Sequence, residues 1–200
     1  MGLDRKYMAI PDSSKVFELV TISPDHGEAL EFLGTYYSGE ALANACANKV
    51  DGVFYKEAQK LKQLHPGIEQ RTCSLDRWWD MLHFLLSEDR RKAGCPDSND
   101  FGTIATRGER DIHRFAVSTQ GVPIRHVSAS MTATIAPWLD KIENQDLQLH
   151  YNPDLMREIG VYKFYDTEDE FAWICKYFAS LKNFYKSVAE HNEGVLVITD

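Results

Sequence analysis

Two hundred residues, 44% apolar and 12% aromatic, can enclose a sizeable core and exclude a chain that is disordered throughout. The formal net charge of −8 argues against a broad nucleic-acid surface or an anionic membrane as partner, and is compatible with a basic protein partner. No apolar run reaches the length of a transmembrane helix, and the start, "MGLDRKYMAIPDSS", lacks a signal-peptide core, so the expected location is cytoplasmic.

Gly2 does not make a myristoylation motif, because Lys6 stands where Ser or Thr is required. Cys46, Cys73, Cys95 and Cys175 are widely spaced, without a Cys-x-x-Cys pair. Reduced, buried thiols are therefore expected in place of zinc or a disulfide framework.

Along the chain, "KYMAIP" alternates and then meets Pro11, which reads as a first strand. "SPDHGEALEFLG" reads as a helix with Ser23 as N-cap, Pro24 at its first position and Gly34 as its stop. "TYYSGEALANACANKVDGVFYKEAQKLKQLHPG" predicts one or two helices closing at Pro66 and Gly67. Residues 88–108 read as an irregular surface loop, since "RRKAGCPDSNDFG" is rich in turn formers and charge. "HRFAVST" and "GVPIRHVS" are candidate strands, followed by a serine-capped helix through "MTATIAPWLDKIEN" with Pro137 inside it.

The last third is the most legible. Asn152 and Pro153 open a short helix that Gly160 ends. Thr167 and Glu170 in "TEDE" have capping-box spacing. Behind them Phe171, Ile174, Phe178, Leu181, Tyr185 and Val188 recur at threes and fours, an apolar stripe facing a core. Gly194 ends that helix and "VLVIT" is a buried strand, so the sheet needs helices on at least one face.

Candidate chemistry centres on "SLDRWWDMLHFLLS", read as one helical segment. Three- and four-residue spacing sets Asp80 beside His83, with Arg77 in reach of Asp80. A carboxylate beside an imidazole can build a general base, with His83 as acid or base, Asp80 as orienter and Arg77 as anion holder. The preferred reading is that these groups satisfy one another, or nearby backbone, at the edge of a packed helix. Trp79, Tyr162 and Arg125 are candidate binding residues, Tyr162 because "YKFYDTEDEFAW" clusters aromatics around acids as either a pocket mouth or a helix staple. "TRGERDIHRF" reads as a solvated, self-paired charge run. The sequence holds no Gly-x-Ser-x-Gly, Gly-rich phosphate loop or His-Glu-x-x-His, and no ligand spacing that implies a metal or cofactor.

"LDRWWDMLHFLLS" resembles the signature of the YfbM-like family, small bacterial proteins grouped as a domain of unknown function. "GVPIRHVSASMTATIAPWLDKI" and the run from Tyr151 to Asp200 are similar to that family's strand, serine-capped helix and closing helix–strand pair. Arg77 replaces the signature's lysine, Ser87-Glu88 its Thr-Gly, and Lys163 the proline of its turn. The resemblance implies a single α/β domain over 1–200, a mixed β-sheet flanked by helices in three α/β/α layers. It implies no reaction. The expected function is a non-catalytic protein that binds a basic macromolecule, an immunity or antitoxin type being one form, and the alternative is the His83-centred enzyme.

Overall fold

The computed structural model describes residues 3–22, 27–38, 49–93 and 98–199. Strand β1 (Arg5–Ile10) leads into the short helices α1 (Val16–Ile22), α2 (Gly27–Glu31) and α3 (Leu33–Ser38), then the longer α4 (Lys49–Leu64). A 3-10 turn (Ile68–Gln70) hands the chain to β2 (Thr72–Asp76), followed by α5 (Trp79–Leu86), α6 (Glu88–Ala93) and α7 (Phe101–Arg107). Two short strands, β3 (Arg110–Asp111) and β4 (Arg125–Val127), precede α8 (Ala129–Asp140), α9 (Asn144–His150) and α10 (Pro153–Glu158). Helix α11 (Glu170–Glu190) and strand β5 (Gly194–Thr199) complete the described chain.

The strands form one sheet in the order β2-β1-β5-β4-β3. The α/β class agrees with expectation, but every pairing is antiparallel where a mixed sheet was expected. The helices α1 to α4 return the chain to the sheet end it left, so β2 runs back against β1. The first and last strands then lie side by side, with Tyr7 opposite Val197.

Alternation along β1 assigns the two faces. On one, Tyr7 meets Phe184 of α11 and its hydroxyl donates to the Thr106 carbonyl of α7 at 2.6 Å. On the other, Met8 reaches α3, where a Cβ on Gly34 would touch the Met8 sulfur at 3.4 Å. Helices therefore cover both faces, and all six residues of β5 are buried between the layers. That double cover explains why "GVLVIT" is apolar at every position after its glycine except the last.

Helix α11 lies against α8 and the sheet through Ile174, Phe178, Leu181, Tyr185 and Val188, as its spacing predicts. Phe184 is buried as well, which widens the stripe, while Phe171 is only half-buried. The helix begins at Glu170, so Thr167 is not its N-cap. Only the carboxylate half of the expected box is present: Glu170, fully buried, accepts from the Thr167 amide at 3.2 Å. Helix α11 ends at Glu190, and Gly194 opens β5 instead of ending the helix.

Three further expectations are corrected. Residues 88–108 are not an irregular loop, since α6 and α7 occupy most of them. Asp100 caps α7 by accepting the Thr103 amide at 2.7 Å; against partial burial, the Ser87 hydroxyl and then this amide hold its carboxyl below the usual range. "HRFAVST" is not a strand; it keeps only an isolated bridge between Val117 and Pro123. Ser128 precedes α8 without a side-chain cap, and the carboxylate of Asp12 takes the Ala129 amide instead. The expected Ser23 cap with Pro24, and the thiols Cys46 and Cys95, lie outside the described residues.

Candidate functional site

Strand pairing cuts the tryptophan segment in two. Thr72–Asp76 joins β1, and only from Trp79 onward is the chain helical. Asp76 takes a left-handed φ of 44° at the junction, which swings Arg77 away from the helix. The Arg77 guanidinium lies over the rings of Trp78 and Tyr165, at 4.3 and 5.1 Å. It is therefore not part of the Asp80–His83 group, and no helical spacing could have shown this.

Every residue of α5 is buried. His83 is fully buried; its Nε2 stands 3.0 Å from Thr103 Oγ1 on α7, and its Nδ1 stands 3.6 Å from Asp80 Oδ1. The other oxygen of Asp80 accepts from Arg90 at 3.2 Å and from the Tyr162 amide at 2.9 Å. Burial pushes the Asp80 carboxyl up, but His83, the Tyr162 amide and Arg90 outweigh it and hold it at about 2. Burial pushes the His83 imidazole down against the opposing pull of Asp80, which leaves it neutral. The group ties α5 to α6, α7 and the turn before α11. Arg90, its member that helical spacing does not reveal, belongs to α6, within the stretch whose composition reads as a loop.

Trp79 and Tyr162 do come together, stacked at 5.8 Å. They spend their polar atoms on the backbone of Leu3: Trp79 Nε1 donates to its carbonyl at 3.0 Å, and its amide donates to the Tyr162 hydroxyl at 2.6 Å. Arg125 is far from both in sequence and pairs with Asp111 at 3.2 Å on β3. It borders a cleft of about 210 Å³ together with Arg5 and Arg107.

A second carboxylate–imidazole pair escaped the sequence reading. His126 on β4 is buried, and its Nε2 lies 3.2 Å from Asp12 Oδ1. Both border a cleft of about 410 Å³, with Arg110 and Asp111 on its rim. The edge of the Phe17 ring meets the imidazole at 4.6 Å. Burial holds the His126 pKa down against Asp12. The signal for this pair was absent, because 114 residues separate its members. Among the described residues, no three His, Cys, Asp or Glu side chains converge as a metal-binding set.

A family model described as a domain of unknown function, DUF1877, matches residues 1–198. The chain belongs to the DUF1877 family. Its fold is also that of a solved structure described as a protein of unknown function, YfbM, from Escherichia coli. That match covers 98% of this chain and 99% of the other, with a TM-score of 0.60 at 15% identity. At that identity the likeness shows the fold alone. No curated protein matches the chain. No helix among the described residues of this DUF1877 member is long and apolar enough to cross a membrane.

Proposed function

We propose that this protein works in the cytoplasm by binding a basic protein partner, through the carboxylate-rich surface between Glu143 and Asp169. The observation that carries the reading is the placement of seven exposed carboxylates in that stretch: Glu143, Asp146, Asp154, Glu158, Asp166, Glu168 and Asp169. Arg157 and Lys163 are its only Lys or Arg residues, and Arg157 is already engaged with Asp154 and Asp166. Tyr165 and Trp173 stand 58% and 45% exposed beside this stretch, large aromatic rings of the kind that anchor protein interfaces. An immunity or antitoxin-type protein, which covers the positive surface of a cognate toxin, is one form of this function.

The alternative enzyme has His83 as acid or base, Asp80 as orienter and Arg77 as anion holder. It finds no support in this arrangement, because Arg77 points elsewhere and His83 is sealed among Asp80, Thr103 and the core. The test is affinity capture from the native strain, using the parent protein and an Asp166→Lys, Glu168→Lys, Asp169→Lys triple variant as baits. One basic partner, bound stoichiometrically by the parent, released as salt rises and missed by the variant, is the expected result. Equal capture by both baits, or no stoichiometric partner, overturns the reading.

A further inference from the structure

Arg5 is 4% exposed and carries a guanidinium into the interior from β1. Its Nε donates to Thr199 Oγ1 and its Nη1 to the Thr106 carbonyl, each at 3.0 Å. Its flat face lies 3.7 Å from the centre of the Trp79 ring. These contacts satisfy hydrogen bonds, but none supplies a negative charge. Among the described residues no carboxylate stands within 4.0 Å of it. Asp80 acts on it only from beyond contact distance, so a buried guanidinium without a touching carboxylate is a feature that a ligand can resolve.

The same guanidinium borders the cleft of about 210 Å³. Arg107, Arg125 and Thr199 line it as well. Asp111 is its one acid among the described residues; it holds Arg125 at 3.2 Å, while Arg125 Nη2 donates to the Glu109 carbonyl at 3.3 Å. These two contacts orient Arg125 along the rim. Thr199 Oγ1 accepts from Arg5, which leaves its hydroxyl proton to donate elsewhere. The residues come from β1, α7, β4 and β5, so the folded sheet itself builds the concavity. Burial is the main cause that lowers the Arg5 pKa to about 10; Arg107 and Arg125 add to it, while Tyr7 and the Asp80 carboxylate oppose it.

We propose that this cleft is a binding site for a small oxyanion, a phosphate or carboxylate group, with Arg5 as its buried counter-charge. Arg107 and Arg125 flank the anion, and the Thr199 hydroxyl donates to it. Guanidinium forks suit the paired oxygens of both groups. At about 30 Å³ per water the volume admits one such group and a few further heavy atoms, so a small free anion or the anionic end of a metabolite fits.

The experiment is calorimetric titration of the full-length protein with inorganic phosphate, a sugar phosphate and succinate, chloride making up constant ionic strength. Saturable binding with Kd below about 10 mM is expected for at least one of them. Preference for inorganic phosphate identifies a free anion as the occupant, whereas preference for the ester or the diacid identifies the anionic end of a larger molecule. Arg125→Gln and Arg107→Gln, which spare the buried Arg5, should each weaken binding about tenfold, the loss typical of one charge-assisted hydrogen bond. Arg157→Gln, far along the chain, should leave it unchanged. Absence of saturable binding by all three anions overturns the site, as does binding that neither cleft variant weakens. Because no residue of the carboxylate-rich surface lines this cleft, the outcome is independent of partner capture.

Discussion

At His83 burial outweighs the nearby carboxylate, so the imidazole stays neutral where an exposed one would protonate. Its folded pKa lies below the ordinary 6.5, so the unfolded chain binds a proton first. The stability that His83 contributes is present above about 6.5 and is lost as pH falls below that value. Asp80 acts in a lower window: with a folded value of about 2 against 3.8, its share is lost between those two points. That share is about 2 kcal/mol, since one pKa unit corresponds to about 1.4 kcal/mol. Urea unfolding from pH 7.5 to 2 should therefore show stability falling in two stages. His126 shares the sign of the first stage, so His83→Gln should shallow that stage without abolishing it. A parent-like slope between pH 7 and 5 in the variant would remove His83 from this account. Gly102 makes a separate point about close approach. A Cβ there would sit 2.3 Å from the Leu86 carbonyl oxygen and 2.6 Å from the Ser87 nitrogen, both backbone atoms that cannot swing aside. Gly102→Ala should cost about 1–3 kcal/mol, read as a Tm several degrees lower.

Elements are tied together here by buried polar contacts as well as by apolar packing. Arg71, just before β2, grips Glu193, just before β5, with two hydrogen bonds of 2.7 Å. Glu193 is fully buried and Arg71 is 8% exposed. The Glu193 carbonyl also accepts from Thr132 on α8 at 2.8 Å, so one residue joins β2, β5 and α8. Removing Glu193 leaves the Arg71 charge buried and alone. Glu193→Ala should lose about 3–5 kcal/mol in denaturant unfolding. Arg71→Met with Glu193→Leu should recover much of that loss, because the stranded charge disappears with its partner. If the double variant is as unstable as the sum of the singles, the pair is not coupled. Helix α7 is held in a similar way: carbonyls of its last turn, Ala105 and Thr106, accept from Tyr185, Tyr7 and Arg5. Donors and a cation at a helix C-terminus complement its dipole.

For the whole molecule, two charged surface features stand out among the described residues. Exposed carboxylates gather from α9 to the start of α11, while three arginines surround a cleft beside β5. Local charge concentrations of this kind can steer oppositely charged partners, an effect that weakens as salt rises. The proposed loss of partner capture at high salt belongs to this scale, because it would depend on the summed field of many carboxylates and on no single pair. The antiparallel sheet contributes by bringing Arg5, Thr199 and Arg125 to one cleft from the two ends of the chain and from β4.

The sequence by itself determined what local periodicity and burial pattern can encode. The six-residue stripe of α11, the Asn152–Pro153 start of α10, and the wholly apolar "VLVIT" were legible because each depends on residues that are neighbours along the chain. The signature "LDRWWDMLHFLLS" was legible as a family likeness, and its Asp80–His83 spacing as a shared helix face. What lay beyond local pattern was decided only by tertiary structure. Pairing of β2 with β1 removed Arg77 from the helix, and folding brought Arg90 to Asp80, Asp12 to His126 and Glu193 to Arg71. Those partners lie 10, 114 and 122 residues apart. Distances of that kind are set by how packed layers meet, and carry no trace in spacing along the chain.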